Sequence, residues 1–161
     1  MTDGVRESTG LYAGFYAGCL LALLPGAALV GALVSPRDAQ EWAVVAGGTL
    51  AGGAMFVTAG ALCGYIPTRM LASRSVRTLA ERLVRIAAVA LAVGIALAVI
   101  LGVITRQPVL MLWVVMSCVV WCVVPGVGLA RPLSRSASWR RATVGGIAVL
   151  AVIGGFSAAI A

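Results

Sequence analysis

The chain has 161 residues, 61% of them hydrophobic, and a formal net charge of +7 in which all twelve basic residues are Arg. Every charge lies outside five apolar runs, at 8–36, 42–68, 86–105, 107–130 and 142–161, none shorter than 20 residues. These runs consume the length a soluble domain would need, and the arginines sit beside helices rather than in a free basic domain. A soluble enzyme and a nucleic-acid-binding protein are therefore both excluded.

An α-helix rises 1.5 Å per residue, so about 20 apolar residues cross about 30 Å of hydrocarbon. The expected fold is all-α, an integral membrane bundle of five transmembrane helices that forms a single transmembrane domain over 1–161.

The first helix is expected over 11–34, stopped by the turn chemistry of Ser35-Pro36-Arg37-Asp38. Its apolar core is longer than that of a secretory signal, so it reads as a span. The second helix is expected over 42–66, ending before Pro67. Residues 73–85 read as an extension of the third helix, with a capping box in Thr78-Leu79-Ala80-Glu81 and with Arg77, Glu81 and Arg85 on one face. The third span follows over 86–104. Arg106-Gln107-Pro108 makes a short turn, with Pro108 in the first turn of the next helix, where a missing N–H costs nothing. The fourth helix is expected over 109–130, kinked where Pro125 removes the bond to the Trp121 carbonyl. The fifth takes 142–160.

The loops set the orientation. Arg69, Arg74, Arg77, Arg82 and Arg85 fall in 66–85, and Arg131, Arg135, Arg140 and Arg141 in 131–141. Five helices put both segments and the N-terminus on one side, which carries seven net positive charges against zero on the other. The positive-inside rule makes that side cytoplasmic and puts the C-terminus outside. These nine arginines are expected to fix topology or to meet anionic lipid headgroups. Trp42 and Trp113 fall near the outer surface, and Tyr12, Tyr65 and Trp139 near the inner one, as amphipathic rings prefer. Trp121 lies deeper and calls for a packing contact. The absence of Lys and Asn suggests a GC-rich bacterial genome.

Small residues recur at spacing four. Gly10, Gly14, Gly18, Ala22 and Gly26 line helix 1, and Gly48, Gly52, Gly60 and Gly64 line helix 2. Ala90, Gly94, Ala98 and Gly102 line helix 3, and Cys118, Cys122, Gly126 and Ala130 line helix 4. Such strips let backbones approach closely, and inside lipid it is packing that drives helix association. The strips of helices 2 and 3 are expected to pack within the chain, and that of helix 1 to fit its own bundle or a partner. Helix 2, rich in Gly, is expected inside the bundle, and helix 4 to face lipid broadly.

Chemistry is sparse. Cys118 and Cys122 share a helix face with Met111, a sulfur set that would suit a soft metal ion, although buried Cys and Met more often serve as adaptable fillers. There is no His and no charged residue inside any run, so neither acid–base catalysis nor proton coupling has a vehicle. No cofactor is expected. The composition points to a non-enzymatic multi-pass protein of a bacterial cytoplasmic membrane. It would be an accessory or structural component of an assembly, as a homo-oligomer or with a membrane-protein partner. The alternative is a small channel or transporter for an uncharged, small or soft-metal solute.

Overall fold

The computed structural model describes the backbone of residues 2–34, 38–72 and 78–160, and the side chains of 9–34, 38–70, 78–107 and 120–160. Five helices form: α1 Thr2–Val34, α2 Ala39–Ala72, α3 Leu79–Thr105, α4 Pro108–Arg135 and α5 Ala137–Ile160. Four segments are long and apolar enough to cross a membrane, namely Thr9–Val34, Ala39–Met70, Leu79–Thr105 and Ala137–Ile160. Much of the span expected over 109–130 lies outside the described side chains.

The helices overrun their expected ends because charge does not stop a helix. α1 begins at Thr2 rather than at residue 11. α2 continues through Pro67 to Ala72. α4 passes through both Pro125 and Pro132 to Arg135. Arg is a good helix former, so the expected loop 131–141 shrinks to Ser136 alone, in extended conformation. Each internal proline deprives the carbonyl four residues earlier of its donor. Those carbonyls belong to Leu21, Cys63, Trp121 and Gly128, all exposed residues.

Thr78 starts α3 as read from the sequence. Its hydroxyl accepts from the Glu81 N–H at 3.3 Å, while the Glu81 carboxylate accepts from the Thr78 N–H at 3.4 Å. α3 ends at Arg106, which adopts a left-handed conformation with φ 58°. The Arg106 and Gln107 N–H groups then bond the carbonyls of Val103 and Gly102, at 3.3 and 3.1 Å, which closes the helix. Pro108 opens α4 after the two-residue turn.

The centre of the bundle is α1. Leu11, Tyr12, Phe15, Tyr16, Cys19, Leu23 and Ala27 are buried there against Leu50 and Val57 of α2, Ile86 of α3, Cys122 and Ala130 of α4, and Ile147 of α5. Neighbouring helices run antiparallel around it. The expectation that α2 fills the interior is corrected: its glycines admit neighbours on two sides, but Met55, Leu62, Ile66 and Met70 point outward. The aromatic residues of α1 supply bulk that α2 lacks, and bulk needs surroundings. α4 shows an outward face at Val120, Trp121 and Val124. α5 is the least buried of the four membrane-length segments and α1 the most.

Candidate functional site, the small-residue seams and their aromatic donors

The α1 strip packs against the α4 strip in a constant antiparallel register. A Cβ placed on Gly14 would lie 2.9 Å from the Ser134 nitrogen and closer still to the Ala130 carbonyl oxygen. One on Gly18 would lie 3.1 Å from the Gly126 Cα, and one on Gly126 would lie 2.6 Å from the Cys19 Sγ. Gly26 faces the Trp121 ring, with 3.1 Å to its Nε1, and Gly10 faces the Ser134 carbonyl more loosely at 3.9 Å. Any side chain at Gly14 or Gly18 would meet backbone, which cannot move aside as a flexible side chain can. The two helices are therefore as close as glycine allows.

A second seam joins α2 to α5 at one crossing. A Cβ on Gly47 would lie 2.7 Å from the Gly154 Cα, and one on Gly154 would lie 2.6 Å from the Gly47 Cα. The first half of the helix 2 strip, Gly48 and Gly52, is thus out of phase with α5, whereas Gly64 is buried against Tyr12 and Tyr16 of α1. Gly48 makes only ordinary contact with Ala158, at 3.4 Å, and Gly52 is exposed with open space beside it. One residue is a rotation of about 100° around a helix, so spacing alone does not fix which glycine of a Gly-Gly pair faces the neighbour. The doublets at 47–48 and 154–155 were the signal available. Gly94, Ala98 and Gly102 form the buried line of α3, and Ala98 packs with Phe56 and Val123.

Four aromatic donors tie α1 to its neighbours, three of them to or from α2 and one from α4. Tyr12 donates to the Ala61 carbonyl at 2.5 Å and Tyr16 to the Gly60 carbonyl at 3.2 Å, both across to α2. Trp121 of α4 donates to the Ala22 carbonyl of α1 at 3.0 Å, and Trp42 of α2 to the Ala28 carbonyl at 3.3 Å. Every acceptor is an Ala or a Gly. Each carbonyl has a second lone pair beyond its helical bond, and only a small side chain leaves it reachable from the next helix. In hydrocarbon this satisfies polar tips that would otherwise have no partner. The tyrosine rings also pack on one another, Tyr12 tilted against Tyr16 at 4.8 Å and edge-on to Tyr65 at 5.8 Å between centroids. Tyr12 is buried in the core, where its ring meets those of Tyr16 and Tyr65.

Of the sulfur set, Cys122 is buried in the main core with Cys19, and the side chains of Met111 and Cys118 lie outside the described residues. Among the described residues no three His, Cys, Asp or Glu side chains cluster as metal ligands. Cys19 fills the space that Gly126 leaves, a packing role.

The antiparallel alternation collects Arg69 from α2, Arg82 and Arg85 from α3, Arg131 and Arg135 from α4, and Arg140 and Arg141 from α5 at one end of the bundle. Arg74 and Arg77 lie outside the described residues. Arg82, Arg85 and Arg140 are half-buried, and Arg69, Arg131, Arg135 and Arg141 are exposed. Comparison with known families, curated proteins and solved structures yields no match for this chain.

Proposed function

We propose that this protein is a non-enzymatic multi-pass component of a bacterial cytoplasmic membrane, with all five helices spanning and with its arginine-rich end in the cytoplasm. It acts as a structural or accessory subunit within a membrane assembly. The observation that carries this reading is how the close-packing surfaces are distributed. The strips of α1 and α4 are spent on each other, and the polar tips of Tyr12, Tyr16 and Trp121 are bonded to backbone carbonyls within the chain. α5 is joined to α2 through one glycine crossing and leaves Val144, Val149, Leu150, Val152, Ile153 and Phe156 outward. A centre whose close-packing surfaces are filled, beside an apolar helix that is the least buried of the membrane-length segments, suits a protein that presents that helix to another subunit.

The test is a mass measurement of the protein extracted from its own membrane in a mild detergent, with photo-crosslinkers at Val149 on α5 and at Val99 on α3. A defined oligomer or complex with cross-links at Val149 and none at Val99 is expected. A monomer without cross-links at either position overturns the reading.

A further inference from the structure

The junction of α4 and α5 concentrates positive charge. Only Ser136 separates the two helices, so Arg131 and Arg135 in the last two turns of α4 and Arg140 and Arg141 in the first two turns of α5 fall within eleven residues of chain. Arg131 and Arg135 are four apart, share a helix face and are exposed, as is Arg141. No Asp or Glu occurs after Glu81, so α4 and α5 contain no carboxylate side chain, and neither does the rest of α3. Asp3 and Glu7, the acidic residues ahead of Gly10, are outnumbered two to one by these four arginines before Arg6 is counted. The arginines of α3 differ, since Arg82 and Arg85 share their first turns with Glu81.

Three further observations narrow the partner. All four cations are guanidinium groups, whose planar fork matches two oxygens of a phosphate at once. Trp139 stands among them with 71% of its surface exposed. An exposed indole is favoured at the depth of lipid headgroups. Beyond this turn α5 continues as an apolar, outward surface through Val144, Val149, Val152 and Ile153. A soluble anion would use the arginines alone. A lipid would use the arginines, the indole and the apolar face in order of depth.

We propose that the α4–α5 junction is a binding site for an anionic phospholipid. Arg131, Arg135, Arg140 and Arg141 take its phosphate, Trp139 sits at its headgroup level, and its acyl chains run along α5. The proposal rests on α5 crossing the membrane and is independent of whether the protein is a subunit of an assembly.

The experiment reconstitutes the full chain in phosphatidylcholine vesicles containing phosphatidylglycerol, with bromine near the top of the acyl chains of one lipid or the other. Trp139 quenching is isolated as the difference between the native protein and W139F. Brominated phosphatidylglycerol is expected to quench Trp139 as if enriched about threefold over its bulk fraction. R135Q/R140Q/R141Q should reduce that enrichment to the bulk level, and the single variant R141Q should reduce it in part. R82Q/R85Q, with two charges removed elsewhere at the same end, should keep it, and millimolar inorganic phosphate should leave it unchanged. Quenching at bulk level in the native protein overturns the proposal. So does enrichment that survives both R141Q and the triple variant, or enrichment abolished by R82Q/R85Q. Loss of enrichment on adding inorganic phosphate would assign the arginines to the free anion instead.

Discussion

The indole N–H of Trp121 on α4 donates to the carbonyl of Ala22 on α1 at 3.0 Å, and the same ring covers Gly26 at 3.1 Å. Pro25 lies between those two α1 residues and removes the helical donor to the Leu21 carbonyl. The ring therefore packs across α1 at its internal proline. Trp121→Phe keeps most of the contact and removes the donor. It should lower stability by about 0.6–1 kcal/mol, the usual worth of an interhelical hydrogen bond in a membrane protein. Trp121→Ala should cost more, since it also uncovers Gly26. Equilibrium unfolding in mixed detergent micelles measures both. A Phe variant as unstable as the Ala variant would show that the hydrogen bond, rather than the ring, dominates.

Two Gly→Ala substitutions should act in opposite directions. At Gly14 a methyl group would run into the backbone of Ala130 and Ser134, forcing α1 and α4 apart along their seam. A loss of about 1–3 kcal/mol is expected there, the range for overpacking. At Gly52 nothing lies within 4 Å of the new Cβ, and Ala is the better helix former. That variant should be neutral or gain up to about 1 kcal/mol. The same unfolding assay, run side by side, reads the contrast. Equal destabilisation at the two sites would place the close packing elsewhere than on the α1–α4 line.

The sequence carries the two phases of this packing unequally. The α1, α3 and α4 strips are legible because each has Gly, Ala or Cys at every fourth position and no Gly-Gly pair to leave the phase open. In α2, Gly47-Gly48 and Gly52-Gly53 present two glycines at each turn, so period alone does not choose between them. The structure takes Gly47 for α5 and Gly53 for Leu23 of α1. Helix ends were legible where backbone chemistry sets them, at Thr78 and Pro108, and illegible where only charge was present, as over 131–141. The aromatic-to-carbonyl bonds were hidden for a different reason. Ala61, Gly60, Ala22 and Ala28 act through their backbone, which has no letter in the sequence.

Tyr12 and Tyr16 bond successive carbonyls, those of Ala61 and Gly60, over the open backbone of Gly64. A Cβ on Gly64 would lie 3.0 Å from the Tyr16 hydroxyl oxygen and 3.2 Å from that of Tyr12. Tyr12→Phe and Tyr16→Phe should each cost about 0.6–1 kcal/mol. Because the rings also touch, with centroids 4.8 Å apart, the double variant should depart from the sum of the two singles. Gly64→Ala should displace both hydroxyls, and adding it to the double Phe variant should cost less than adding it to the native protein. A strictly additive set would mean that the two tyrosines and Gly64 act independently.

Arg106 is the last test, because it sets a local cost against a charge. Its φ of 58° lies in the left-handed region, and it is the one non-glycine residue with positive φ among the described residues. An L side chain there costs about 1–2 kcal/mol, which Gly avoids. The helix-closing bonds from the Arg106 and Gln107 N–H groups use backbone only, so a glycine keeps them. The guanidinium is exposed, where a surface charge contributes little to stability. Arg106→Gly should therefore stabilise the protein by about 1 kcal/mol, and Arg106→Ala, which drops the charge but keeps the Cβ, should not. Thermal unfolding of the three proteins in one detergent separates the two contributions. A glycine variant no more stable than the alanine one would mean that the α3–α4 turn relaxes out of the left-handed conformation.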